Sequence, residues 1–267
     1  MKFVKMHGLG NDFVFFGGED ARRVEANDPA ALAQKLCQKH FGVCADGLVL
    51  ILPSASCDAR MRIFNPDGSE AEMCGNALRC VGKYLYETGA VQSDCMSVET
   101  LGGVKPLRVS VQNGRVTSVA ADMGEAKLGE TVKIDLGGRE TAFLTVDMGN
   151  PHCVVFCPRV DGVNVEQVGP QFEHADYFPD RINTEFIRVV NPSTIKMRVW
   201  ERGSGETMAC GTGACAAVVA AVAAGQCEKG RDITVRVRGG DLVVNYTDEK
   251  VTLTGDARLV YTGEVEY

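Results

Sequence analysis

Several things are missing from this sequence, and each absence removes a class of function. It has no basic excess: 28 Lys and Arg face 35 Asp and Glu, for a formal net charge of −7. Nucleic acids and anionic membranes both demand a basic face, so neither is expected as a partner. It has no long run of large apolar residues. The longest charge-free stretch, 207–227, is mostly Ala and Gly and reads as a buried helix rather than a membrane span. The start, MKFVKMHGLGNDF, has neither an apolar core nor a small-residue cleavage site, so the reading is a soluble cytoplasmic protein. Among eleven cysteines there is no C-x2-C pair, the spacing on which structural zinc sites usually rest. An odd cysteine count in a long chain without a leader favours reduced thiols over a disulfide framework.

What is present is a globular composition, 45% apolar and 24% charged, over 267 residues, enough for one large domain or two ordinary ones. The chain also repeats itself. MRIFNPDGSEAEMCG (61–75) returns as MRVWERGSGETMACG (197–211), at a constant offset of 136 (197 − 61 and 210 − 74). Met, Arg, Glu, Cys and Gly recur in register. A looser echo lies upstream, where Gly10-Asn11 corresponds to Gly149-Asn150.

Both halves read in the same order: an apolar strand at Gly-Asn, a helix (28–41 or 165–177), strands at 48–52 and 59–64 or 185–190 and 194–200, then a Gly-rich turn. A Cys-Gly then opens a second helix, 74–88 or 210–224, stopped by Gly89 or Gly225. Valine-rich alternating strands follow, with Asn113-Gly114 as a hairpin turn. The helix after Cys210 is small and apolar all round, as suits a helix wrapped by sheet. The expected fold is α/β (α+β): two pseudo-symmetric halves, each a curled, mostly antiparallel sheet around a central helix. The division expected is 1–117 with a returning strand near 256–267, then 118–255, with the site where the halves meet.

A helix N-terminus carries free N–H groups and partial positive charge, so it binds carboxylates and favours thiolate in a cysteine placed there. Cys74 and Cys210 occupy that place in the two halves. A thiolate on one face of an amino-acid α-carbon and a thiol on the other suit racemisation, since a single base tends to return the proton to the side it left. A single buried cysteine is ordinarily just a small hydrophobe, and Cys37, Cys57, Cys80, Cys95, Cys215 and Cys227 are read that way.

At these residues the sequence resembles the diaminopimelate epimerase family. The resemblance is carried by KMHGLGNDF (5–13), FGVCADG (41–47), FNPDGSEAEMCGNALRC (64–80), MGNPHCV (148–154), RINTEF (181–186) and WERGSGETMACGTGACA (200–216). It implies interconversion of LL- and meso-2,6-diaminopimelate without pyridoxal phosphate or metal, in lysine and cell-wall precursor synthesis, by a homodimer. It also implies Cys74 and Cys210 as the two bases, and Gly75-Asn76 and Gly211-Thr212 as amide donors to the reacting carboxylate. Asn65, Asn183 and Arg202 would hold the distal carboxylate, and Glu201 the distal ammonium. Asn11 and Asn150 would line the site, and His152 with Glu201 would tune the thiols. Some relatives carry glutamine where Gly47 stands, and Cys44 beside it is an extra thiol.

Three other readings stay open on the sequence. Gly211 to Ala216 fits the dinucleotide pattern G-x-G-x-x-A, but the β-α-β context that pattern requires is missing. A proline or hydroxyproline racemase of the same fold would have no use for Arg202 and Glu201, because a ring has no distal charges. A non-catalytic amino-acid-binding protein is the third.

Overall fold

The computed structural model describes residues 1–135 and 140–266. The chain forms two units, Met1–Ala121 with Gly255–Tyr267, and Asp122–Thr254. In the first lie β1 (Lys2–Gly8), β2 (Asn11–Gly17), α1 (Gly18–Glu25), α2 (Pro29–Cys37), β3 (Leu48–Leu52), β4 (Ala59–Phe64), β5 (Glu70–Ala71), α3 (Gly75–Glu87), β6 (Cys95–Thr100), β7 (Gly103–Gln112) and β8 (Arg115–Asp122). The second unit holds β9 (Lys127–Asp135), β10 (Glu140–Asp147), β11 (Pro151–Phe156), α4 (Val165–Glu173), β12 (Asn183–Asn191), β13 (Thr194–Glu201), β14 (Gly205–Glu206), α5 (Gly211–Ala223), β15 (Asp232–Val237), β16 (Gly240–Tyr246) and β17 (Val251–Gly255). Then β18 (Arg258–Glu264) returns to the first.

The sheet of the first unit runs β18-β1-β2-β3-β4-β6-β7-β8, parallel only at β2–β3 and β4–β6. The second runs β9-β10-β11-β12-β13-β15-β16-β17, parallel at the equivalent places, β11–β12 and β13–β15. The duplication read from sequence is therefore a duplication of topology, and even of register. Leu48 pairs with Phe64, and Thr184 with Trp200, each shifted by 136 (184 − 48, 200 − 64). Upstream the shift is 139, since Val14 pairs with Leu48 and Cys153 with Thr184 (153 − 14). The three-residue difference is absorbed in the helical crossovers that join these parallel strands.

Those crossovers depart from expectation. The helix expected over 28–41 is α2, which ends at Cys37. Asp28 caps its start by accepting from Ala31 N at 3.0 Å, and Pro29 takes the first helical position. Gln38 then turns extended (φ −58°, ψ 125°). Helix α1, with acidic residues in its first turn and basic ones in its last, was not foreseen. The helix expected over 165–177 ends at Glu173, where His174 leaves helical geometry (φ −105°, ψ 13°).

Two turns fix the strands near the site. Leu9 and Gly10 both have positive φ (57° and 86°), the requirement of a tight two-residue hairpin, and this starts β2 at Asn11. Asn113-Gly114 makes the same kind of turn (φ 51° and 73°), as read from sequence. Gly89 and Gly225, at φ 74° and 69°, close α3 and α5. Cys57 is half-buried and Cys95 exposed, so neither is the core residue expected. Among the described residues no helix is long and apolar enough to cross a membrane.

Candidate active site

Each unit presents a cysteine at the N-cap of its central helix: Cys74 before α3 and Cys210 before α5. Both are extended (φ −140° and −117°), and the helix begins with the glycine that follows. The first amides of each helix therefore lie beside the sulfur, where a helix has no i−4 carbonyl to offer them.

In the first unit, Cys74 Sγ lies 3.6 Å from Asn11 Oδ1 and donates to it. The same oxygen accepts from Asn76 Nδ2 at 2.9 Å. Asn76 Oδ1 accepts from Arg79 Nη2 at 2.8 Å, and Arg79 also donates to Gly75 O and Asp256 O, both at 3.2 Å. Arg79 is fully buried. Asn11 is oriented from its other end, where Nδ2 donates to Asp46 Oδ2 at 2.9 Å. The loop bearing Asp46 is tied down by Lys5, which pairs with Asp12 at 2.8 Å and donates to the carbonyls of Val43 and Cys44. Cys44 thus contributes its carbonyl and a left-handed backbone (φ 60°), with its thiol exposed. Asn65 sits in the turn after β4, donating to Ser69 Oγ at 3.0 Å.

The second unit gathers more titratable groups. Gly213 N donates to Cys210 Sγ at 3.4 Å, and Thr212 Oγ1 lies 3.6 Å from the sulfur. Asn150 Nδ2 donates to Thr212 Oγ1 at 3.3 Å, while Asn150 Oδ1 lies 3.0 Å from His152 Nε2. His152 Nδ1 is 2.8 Å from Glu185 Oε1, and both side chains are fully buried. Glu201 accepts from Thr207 Oγ1 and interacts with Cys210. Asn183 spans two loops: Nδ2 donates to Pro151 O at 2.9 Å and Oδ1 accepts from Arg202 N at 3.0 Å. Arg202 is exposed, with Nη1 donating to Asp180 O at 3.1 Å.

Burial pushes the Cys210 thiol well above its ordinary value, and the Glu201 and Glu185 carboxylates push the same way. The Thr212 hydroxyl and the Gly213 amide oppose them and lose. At Cys210 desolvation thus overrides the thiolate preference of a helix start, which the sequence alone had suggested for both cysteines. Burial also raises the carboxyl of Glu201.

Asn11, Cys74, Gly75 and Asn76 come together in one unit, and Asn150, His152, Glu201, Cys210, Gly211 and Thr212 in the other. Asn183 and Arg202 meet through backbone. The sequence reading gave no role to Arg79, Asp46 or Glu185. The first and last had a visible signal: a charge inside a segment read as the central helix of one half or as a strand of the other.

The family pattern described as Diaminopimelate epimerase matches residues 3–129 and 144–266. The chain is 50% identical to a diaminopimelate epimerase of Pelotomaculum thermopropionicum, over 100% of this chain and 99% of that one. It is 45% identical to one of Acetivibrio thermocellus over the same shares. Among solved structures, a PhzF-family phenazine biosynthesis protein of Bacillus anthracis superposes with a TM-score of 0.80 at 17% identity, covering 100% of this chain and 99% of that one. A hydroxyproline epimerase of Agrobacterium vitis gives 0.75 at 17%, covering 98% and 91%. At such identities these two establish the fold alone.

Proposed function

This chain belongs to the diaminopimelate epimerase family, and from that premise we propose that it interconverts LL- and meso-2,6-diaminopimelate, with Cys74 and Cys210 as a thiolate–thiol pair acting on opposite faces of one α-carbon. The observation that carries this reading is the pair of Cys-Gly helix starts at equivalent places in two copies of one topology. Each start offers a sulfur beside the first backbone amides of a helix.

The α-carboxylate rests on those amides, Gly75-Asn76 from one helix and Gly211-Thr212 from the other. Cys210, whose thiol is raised by burial and by Glu201 and Glu185, rests protonated; Cys74 takes the base role. The Cys74 thiolate removes the α-proton and becomes a thiol, and the electron pair spreads into the carboxylate. Cys210 then gives its proton to the opposite face and is left as thiolate. The product is the epimer, and the reverse reaction starts from the exchanged pair. Positioned acid–base groups contribute about 10²–10⁴ in rate. Amide donors aimed at the developing oxyanion add about 10²–10³ each.

Glu201 and Arg202 supply an anion and a cation for the distal ammonium and carboxylate, with Asn65 and Asn183 alongside and Asn11 and Asn150 lining the site. His152 and Glu201 bear on the protonation of Cys210. The reading extends to a cytoplasmic homodimer working without cofactor; light scattering on the purified chain tests the dimer. The central experiment incubates LL-diaminopimelate with the protein in D2O. Deuterium entering one stereocentre as meso product forms supports the assignment. Exchange into proline but not diaminopimelate overturns it.

A further inference from the structure

The second unit contains a buried acid to which the proposed mechanism gives only a distant electrostatic part. Glu185 is the third residue of β12 with its side chain 0% exposed, and its counterpart in the first unit is Val49 (185 − 136). Its partner His152 is also 0% exposed, and the counterpart there is Phe13 (152 − 139). One copy of the fold therefore has an apolar pair where the other has an acid and an imidazole. A buried acid costs stability unless it is partnered, so its presence in only one copy calls for a use. Among the described residues Glu185 Oε2 has no hydrogen-bond partner, so Oε1 and His152 carry the whole compensation.

We propose that Glu185 is a positioning residue for Cys210, acting through a one-way chain of hydrogen bonds that runs from His152 through Asn150 and Thr212 to the sulfur. Direction follows from the atoms. His152 Nε2 faces Asn150 Oδ1, an acceptor only, so Nε2 carries a hydrogen and donates. Nδ1 faces Glu185 Oε1 and shares one further proton with it, sitting on either partner without altering the donation at Nε2. With Oδ1 held by the imidazole, Asn150 turns its amide nitrogen to Thr212 Oγ1. Thr212 Oγ1 accepts there, which leaves its own hydrogen available to Cys210 Sγ, 3.6 Å away, once the sulfur is a thiolate. The sulfur thus keeps an aimed donor for the half of the cycle in which it is a thiolate. Remove Glu185 and the imidazole is no longer held in one protonation pattern; Asn150 loses its reason to face one way and Thr212 its reason to donate to sulfur.

The fold makes room for this arrangement. A Cβ on Gly213, in the first turn of α5, would stand 2.5 Å from Glu185 Oε1, so the carboxylate reaches the helix start only because that residue is glycine. Glu185 borders the helix N-terminus, where negative charge is favoured. The other titratable groups about it are Glu201, Cys210 and Cys153.

The kinetic part of the test rests on the epimerase reading; the spectroscopic part does not. Glu185→Met keeps volume and removes the bond to Nδ1, and Glu185→Val, the first unit's own choice, serves if Met does not fold. Thr212→Val removes the hydroxyl and keeps the backbone amide. Each single change is expected to lower kcat by about 10- to 100-fold with little change in KM, and the double variant to be no slower than the slower single, because both cut one chain. Multiplying losses would mean that Glu185 acts by packing, and would overturn the proposal. Independently, nitrogen NMR of labelled histidine, assigned with His152→Phe, should show a proton held on His152 Nε2 in the wild type. Glu185→Met should release it. A ring protonated only at Nδ1, or one indifferent to Glu185, overturns the chain even if the enzyme epimerises diaminopimelate.

Discussion

Helices α3 and α5 begin at equivalent residues and have the same length, yet they bury different things. Where α3 carries Arg79 and Lys83, α5 has Cys215 and Val219 (each +136). The first helix settles its charges individually. Arg79 bonds Asn76, Gly75 O and Asp256 O, and Lys83 Nζ bonds Val116 O at 3.0 Å and Glu87 at 2.7 Å. The second avoids the problem by being small and apolar, so that strands close over it on all sides. The sulfurs inherit this contrast: a buried cation one turn from Cys74, two carboxylates around Cys210. One repeated arrangement thus carries two unlike environments, as the proposed thiolate–thiol pair would need.

The comparison breaks most completely at the sulfurs. Cys74→Ala and Cys210→Ala should each lower epimerisation by on the order of 10³-fold, measured as α-proton exchange, despite their different surroundings. Retained activity in either would show that the halves are not partners. A second break removes the cation of α3. Arg79→Ala strands Asn76 Oδ1 and two carbonyls in a dry interior and should cost about 3 kcal/mol or more in urea unfolding. Ala217→Leu tests the other solution: overpacking α5, whose Ala217 is 0% exposed, should cost about 1–3 kcal/mol.

A smaller effect sharpens the electrostatic side. Glu201 helps hold the Cys210 thiol high, so Glu201→Gln should move the alkaline limb of the pH–rate profile to lower pH. An unmoved limb would assign that limb to another group. The smallest concerns stability. Burial pushes the thiols of Cys37 and Cys80 up from 9.0 to about 12. Their folded pKa values lie above the unfolded ones, so the folded state holds more protons across that interval. Stability should be intact below pH 9 and fall as pH rises toward 12, the more gently in Cys37→Ala.

Much of this was legible in the residues. The recurrence of Met-Arg, Glu and Cys-Gly announced duplicated strands and helices, because register and capping are local properties carried by those positions. Gly89, Gly225 and Asn113-Gly114 marked the turns they make, since positive φ selects glycine and asparagine. Leu9 gave no such sign: a bulky residue at φ 57° is chosen by the hairpin around it. The crossover helices end earlier than their periodicity suggests, because a single residue leaving helical geometry, Gln38 or His174, outweighs it. At the site, helix starts could be read but their electrostatics could not. Desolvation of Cys210 depends on what folds over it, and the Glu185–His152 contact joins residues on two strands that no local pattern links.

The strand pairing of β1 with β18 has a consequence for synthesis. The second unit is one uninterrupted stretch, 122–254, whereas the first borrows its outer strand from 258–264. The strand that completes the first unit is thus encoded after every strand of the second. Until β18 is made, an apolar edge bearing Phe3 has no strand to cover it and must be kept from wrong partners.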